Sequence, residues 1–370
     1  MSRNYTHGGD IYSIGGFFFM DKLSRNYTHG GDIYSHYEKY GRYPVDFSSS
    51  LNPLNAPLEV TNAYVEAYKY SFAYPPHDYK ELREKIAEKE NTGIENICVS
   101  NGAGELIRYI PVIFKPKNAL ITAPAFSEYK KSLSECNVYE YLLKKENNFL
   151  LQNDFLDNIA FKDMVFLTNP DNPAGNLINL EFIEKTAAKC RKENCILVID
   201  ECFIDLAENG ASAVPLINKY DNLIIIKAFT KTYSFAGIRL GYAVSNEKIT
   251  EMIDNMLPEW RVSMPANICG IAALSDKTFI KSSLKYIKKE KEYLINNLQS
   301  FGFTIYGSQA NYIFFYSEIL DLKERLEKYS ILIRDCSNYN GLEKGYYRAA
   351  VKKHGDNEKL INAIKDVVNG

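Results

Sequence analysis

The sequence predicts an α/β fold with a mainly parallel sheet. Three stretches carry the prediction. Residues 165–175 (V-F-L-T-N-P-D-N-P-A-G) read as an apolar strand that ends in a proline-rich turn with two asparagines. Residues 196–201 (I-L-V-I-D-E) are an apolar strand ending in carboxylates. Residues 224–244 begin and end as buried strands, and Lys231 and Arg239 lie between them. Unbroken apolar runs bounded by turn residues are the pattern of strands covered on both faces, as in parallel sheets.

Length and composition set the frame. The 370 residues suffice for a two-domain enzyme with a sizeable core. Its 44 basic and 46 acidic side chains leave a net charge of −2, which does not suggest a nucleic-acid surface. The 7 cysteines form no C-x-x-C pair and have no histidine at zinc spacing. They read as reduced thiols of a cytosolic protein, with no metal site expected. No apolar run approaches the length of a membrane span, so no membrane partner is expected either.

The chemistry centres on the third stretch. A lysine between two apolar strands is partly desolvated, which disfavours the ammonium and frees the amine to attack a carbonyl. Hydroxyls flank it at Thr230, Thr232, Tyr233 and Ser234, and Gly237 is expected to let the chain turn tightly. On this stretch alone a solvated loop lysine explains the pattern as well. Asp200 shifts the balance. An acid at the end of a parallel strand sits where open α/β sheets bind ligands, and it can pair with the protonated pyridine nitrogen of a lysine-bound pyridoxal phosphate.

Asn172-Pro173-Ala174-Gly175, Asp200-Glu201 and Thr230-Lys231 with Arg239-Leu240-Gly241-Tyr242 share an order, spacing and strand context. Together they resemble the fold-type I pyridoxal-phosphate enzymes of the class I/II aminotransferase group, over nearly the whole chain from about residue 24. The resemblance implies an α/β fold with a large domain on a mainly parallel seven-stranded-type sheet and a small α+β domain, and pyridoxal 5′-phosphate bonded through Lys231 with Asp200 on the pyridine nitrogen. It places Asn172 at the phenolic oxygen and beside the substrate, and Thr230 and Arg239 at the cofactor phosphate.

The remaining elements follow in chain order. Residues 2–13 recur identically at 24–35, too short a pair to build a solenoid. Met20 is expected to be the functional start, with residues 1–19 a duplicated, poorly ordered leader. His29-Gly30-Gly31 precedes a polar helix, and D-F-S-S-S-L-N-P follows at 46–53. This pair of segments resembles the threonine-phosphate decarboxylases of cobalamin synthesis and their relatives, the histidinol-phosphate aminotransferases. It implies substrate contacts for His29, Gly30 and Ser50; as a bare pattern His29 is a surface histidine in a turn. Tyr74 matches the family tyrosine that reaches the cofactor phosphate of the neighbouring subunit, which implies a homodimer with shared active sites.

A charged helix at 79–90 and a strand at 96–100 lead to Asn101–Glu105, a glycine-rich turn feeding an apolar helix. Such a turn presents free N–H groups to an anion, and the resemblance makes Ala103 and Gly104 part of the phosphate cradle. A strand at 119–122 ends near Phe126, implied to stack on the pyridine ring. Beyond Tyr242, helices are expected at 248–256, 264–275 and 278–300, and strands at 302–306 and 312–316. Two edge strands, 331–336 and 346–351, each carry an inward arginine. Arginine's planar fork suits carboxylate and phosphate. By resemblance Arg348 holds the substrate α-carboxylate, and Arg334 with His29 its phosphate. The large domain is expected over 53–262 and the small one over 20–52 and 263–370.

Two departures steer the reading within the group. Phe203 stands three residues after Asp200, where many aminotransferases carry a tyrosine, and this agrees with the decarboxylase pattern. Ala228 stands where a serine often serves the phosphate. The expected reaction is decarboxylation of O-phospho-L-threonine to (R)-1-amino-2-propanol O-2-phosphate, a carbon–carbon lyase activity. Histidinol-phosphate aminotransferase is the second reading. A non-catalytic pyridoxal-phosphate sensor is a third; the short N-terminal region, without a helix-turn-helix, speaks against it.

Overall fold

The structure, a computed structural model, describes residues 29–370. The first copy of the repeat, the Met20 start and the leader at 1–19 lie outside the described residues. In chain order come α1 (Ile33–Tyr40), β1 (Val45–Asp46), α2 (Leu58–Ala67) and α3 (Lys80–Glu90). An α/β series follows: β2 (Ile97–Ser100), α4 (Ala103–Phe114), β3 (Asn118–Ala123), α5 (Ser127–Ser132), β4 (Asn137–Leu142), β5 (Met164–Thr168), α6 (Leu180–Lys192), β6 (Ile196–Asp200), β7 (Leu223–Ala228), α7 (Phe229–Thr232), β8 (Gly241–Ser245) and α8 (Glu247–Met256). The last third holds α9 (Met264–Ser275), α10 (Phe279–Ser300), β9 (Thr304–Tyr306), β10 (Tyr312–Tyr316), α11 (Leu322–Glu327), β11 (Ile331–Leu332), β12 (Arg334–Asp335), β13 (Tyr346–Ala350) and α12 (His354–Asn369).

Seven strands form one sheet in the order β2-β8-β7-β6-β5-β3-β4. Its pairs are parallel except around β8, which runs antiparallel to both β2 and β7. Alternate side chains of a strand enter opposite layers. Val165 and Leu167 pack with Leu82 of α3, Ile183 of α6 and Cys269 of α9. Phe166 packs on the other face with Ile110 of α4, Tyr129 of α5 and Ile253 of α8. Both faces of β5 and β7 are therefore buried, which is why they read as unbroken apolar runs. Each such side chain contributes roughly 1.5–3 kcal/mol by leaving water. The edge strand β4 is half-buried or exposed along its length and carries no such run.

The second sheet is antiparallel, β12-β13-β10-β9, and β1 pairs with β11 in a small parallel ribbon. The expected strand at 331–336 is broken: β11 joins β1, while β12 joins β13. The strand at 346–350 is not an edge. β13 lies between β12 and β10 and is buried throughout, because α10 and α12 cover one face and Leu143, Phe149 and Ala174 meet the other. Helix α9 buries Ala266, Cys269 and Ala273 in the core of the large sheet.

A buried ionic cluster fastens α3 under the lysine turn. Lys227 Nζ lies 2.8 Å from Glu90, and Lys89 Nζ lies 2.7 Å from Glu90 and 3.0 Å from Asp205. Tyr242 donates to Glu90 at 2.6 Å, and Thr232 donates to Asp205 at 3.3 Å. The cluster thus reaches the residue next to Lys231.

Candidate active site

A cavity of about 320 Å³ opens where β5, β6 and β7 end, the ligand-binding edge of open α/β sheets. Every expected site residue except Ser50 and Tyr74 lines it.

Lys231 projects from α7, one turn beyond β7. Burial pulls its amine down to about 8, and the Arg348 guanidinium adds to the fall; Cys202, Asp200 and Asp46 oppose it. Its Nζ stands 5.3 Å from the centre of the Phe203 ring. The 46–53 segment fixes α7 from outside: Asn52 donates its backbone N–H to Lys231 O (3.0 Å) and its Nδ2 to Thr232 O (2.8 Å). The tight turn beyond does not depend on Gly237, which has ordinary φ and open space around it. Ser234 (φ 58°) and Arg239 (φ 65°) take the left-handed positions.

Asp200 ends β6. Its carboxylate accepts from the Tyr129 hydroxyl at 2.7 Å and from Cys202 N at 2.9 Å, and Thr168 donates to the Tyr129 oxygen at 3.1 Å. Burial, with Asp200 adjacent, holds the Tyr129 phenol well above its ordinary range, so it remains a donor. Sequence reasoning missed Tyr129, which lies on the short helix α5 just after Phe126. Phe126 packs edge-on against it with centroids 5.7 Å apart.

One end of the cavity is built where β2 feeds α4. Gly102 sits at φ 77°, and a Cβ there would stand 2.6 Å from Arg239 Nη2. A Cβ on Gly241 would stand 2.6 Å from Ala103 N. Two glycines thus let Arg239 and β8 close over the start of a 12-residue helix. The unpaired first N–H groups and the helix dipole favour an anion there. Thr230 and Ala228 line the same wall.

The opposite end is cationic. Arg348 is buried; it donates through Nη1 to Asn172 Oδ1 and through Nη2 to Ser48 O at 2.8 Å. Arg334 faces it directly across the β12–β13 register and donates to Asn338 at 2.7 Å. His29 Nε2 lies 2.9 Å from Glu128, which Lys131 also approaches at 2.7 Å. Burial raises the Glu128 carboxyl, but hydrogen bonds from Lys131 and His29 outweigh it and leave the group below its ordinary value. Glu128 was not foreseen. Gly30 lies against the Ser48 carbonyl with no room for a side chain.

Ser50 is fully buried outside the lining, its hydroxyl without a partner, while Ser48 and Ser49 face the cavity. Tyr74 is 75% exposed, stacked on Trp260 at 4.5 Å and away from its own chain's cavity.

The model of the "Aminotransferase class I and II" family matches residues 44–365. The chain belongs to this family. Among characterised relatives, threonine-phosphate decarboxylase of Salmonella typhimurium is 30% identical over 334 residues, 88% of this chain and 92% of that protein. Histidinol-phosphate aminotransferase 2 of Archaeoglobus fulgidus is 31% identical over 88% of this chain and 96% of its own length. The crystal structure of histidinol-phosphate aminotransferase from Clostridium acetobutylicum superposes with a TM-score of 0.82 at 32% identity, covering 88% of this chain and 99% of that one. L-Threonine-O-3-phosphate decarboxylase from Porphyromonas gingivalis shares the fold at 22% identity and a TM-score of 0.77.

The family is one of pyridoxal-phosphate enzymes, and the cofactor of this chain is pyridoxal 5′-phosphate. The residues present fit it. The helix start with Arg239 would hold the phosphate, Phe126 a ring face, Asp200 the pyridine nitrogen and Lys231 the aldehyde carbon. Among the described residues no cluster of three or more metal-ligating side chains occurs, and no helix is long and apolar enough to cross a membrane.

Proposed function

We propose that the protein decarboxylates O-phospho-L-threonine to 1-amino-2-propanol phosphate, a step of cobalamin synthesis. The observation that carries this reading is Phe203. The cavity wall beneath Lys231 is a ring packed edge-on against Tyr312 at 5.1 Å, with no hydroxyl for the cofactor's phenolic oxygen. Asn172 is left as the donor there: its Oδ1 is taken by Arg348, which leaves Nδ2 available. This arrangement resembles the decarboxylases, and the Salmonella relative supports it.

When bound, the cofactor supplies an electron sink for bond breaking at Cα. The residues divide the remaining work. Arg348 grips the α-carboxylate and sets its angle, which decides whether the carboxylate or the α-proton leaves. His29 and Arg334 take the phosphate through charge-assisted hydrogen bonds. Asp200, braced by Tyr129, supports a proton on the pyridine nitrogen. Lys231 Nζ delivers the proton that replaces carbon dioxide at Cα.

The active unit in this reading is a cytoplasmic homodimer. Tyr68, Phe72 and Tyr74 are 80%, 86% and 75% exposed on one segment, and large exposed aromatics close in the chain are of the kind that interfaces cover. Tyr74 would then reach the partner's cofactor phosphate. The comparable identity to histidinol-phosphate aminotransferases keeps transamination as the second reading.

The deciding experiment is carbon dioxide release from O-phospho-L-threonine by the cofactor-loaded protein without any 2-oxo acid. Release equal to substrate loss is expected. No release, with glutamate formed from histidinol phosphate and 2-oxoglutarate, would establish the transaminase.

A further inference from the structure

Tyr312 opens β10 and is fully buried. It touches three parts of the cavity wall around Arg348. The Arg348 guanidinium carbon lies 5.0 Å from its ring centre. Its ring packs T-shaped with Phe203 at 5.1 Å and 78°, and Phe203 in turn carries Lys231 Nζ at 5.3 Å. Its hydroxyl donates to the carbonyl of Asp171, the residue before Asn172. Asn172 accepts from Arg348, so the three contacts close into a ring: Tyr312 to Arg348, Arg348 to Asn172, and Asn172 through the backbone to Tyr312.

We infer that Tyr312 is a positioning residue that fixes the orientation of the Arg348 guanidinium, and through it the substrate carboxylate. The inference rests on the reading of Arg348 as the carboxylate holder. Two of the arginine's nitrogens are tied, to Asn172 and to Ser48 O, while Nε is buried without a partner. Two hydrogen bonds at one end leave the guanidinium plane free to tilt. The face of the Tyr312 ring stops that tilt and, in a desolvated place, attracts the cation. The hydroxyl holds the Asp171–Asn172 peptide at the height where the Asn172 amide meets the arginine. Phe203, packed T-shaped on the Tyr312 ring, keeps Lys231 in register with the same frame.

The test uses cofactor-loaded protein and ligands without an amine, so that no reaction intervenes. 3-Phosphoglycerate and glycerol 3-phosphate both carry a phosphate, but only the first has a carboxylate; maleate has carboxylates and no phosphate. Binding is measured by titration calorimetry. Tyr312→Leu is expected to weaken 3-phosphoglycerate and maleate about ten-fold, the size of a buried cation–π contact, and to leave glycerol 3-phosphate within about two-fold. Tyr312→Phe keeps the ring and restores carboxylate binding to within about three-fold. Equal losses for all three ligands, or no loss in Tyr312→Leu, overturn the inference, as does a wild-type protein that binds no carboxylate. Maleate binding without phosphate binding would sink the proposed phosphorylated substrate, while Tyr312 would still be read on maleate. Tyr312→Met serves if the leucine variant does not fold.

Discussion

Lys231 has a lowered proton affinity first because it is buried and then because Arg348 stands across the cavity. Only the neutral amine bonds a carbonyl. The rate at which cofactor-free protein takes up pyridoxal phosphate should therefore rise with pH and level off above about 8. In Arg348→Met the midpoint should move upward, since a charge that disfavours the ammonium is gone. Stopped-flow absorbance from pH 6 to 10 measures both; an unmoved midpoint would mean that burial alone sets the value. Lys231→Ala should leave no borohydride-fixable cofactor mass on its peptide. The same shift carries a stability cost of defined sign. The folded amine is depressed from 10.5 to about 8, so the cost grows as pH falls between those values and persists below them.

Helix α4 and strand β8 meet by close approach at the end of the cavity proposed to take the cofactor phosphate, and their glycines are where a single Cβ matters. Gly102→Ala would add left-handed strain of about 1–2 kcal/mol and drive a methyl into Arg239. The expected result is a melting temperature lower by a few degrees and cofactor affinity weaker by about ten-fold or more, read by fluorescence titration. Unchanged affinity would show that Arg239 does not serve the phosphate. Elements of this kind differ in how far sequence reveals them. β5, β6 and β7 are buried on both faces and announce themselves as apolar runs. Helix α7 has four residues, too few for periodicity. Strand β4 is an edge, and the segment at 331–336 looks continuous although its two halves join different sheets.

At the scale of the whole molecule, the exposed aromatic segment from Tyr68 to Tyr74 calls for a partner. The protein is expected to sediment as a dimer at micromolar concentration. Phe72→Glu should shift it toward monomer and loosen cofactor retention together, because Tyr74 would no longer reach the second site. A wild-type monomer with full cofactor retention would refute the shared-site reading.

Asp200 and Lys231 stood out in the sequence because each ends or follows a buried strand whose apolar run is visible locally, while Asn172 and Arg239 were singled out by the family motif they belong to. The sequence by itself thus determined the α/β class and the family, and it singled out residues that the fold gathers into one cavity. Tertiary structure decided the rest. Tyr129 finds Asp200 across 71 residues, His29 finds Glu128 across 99, and Arg348 finds Asn172 across 176. Ser48 rather than Ser50 faces the cavity, and Tyr312 lies beneath Arg348. Such contacts depend on ångström-scale placement of separate elements once two sheets have packed, and no periodicity in the chain encodes that distance.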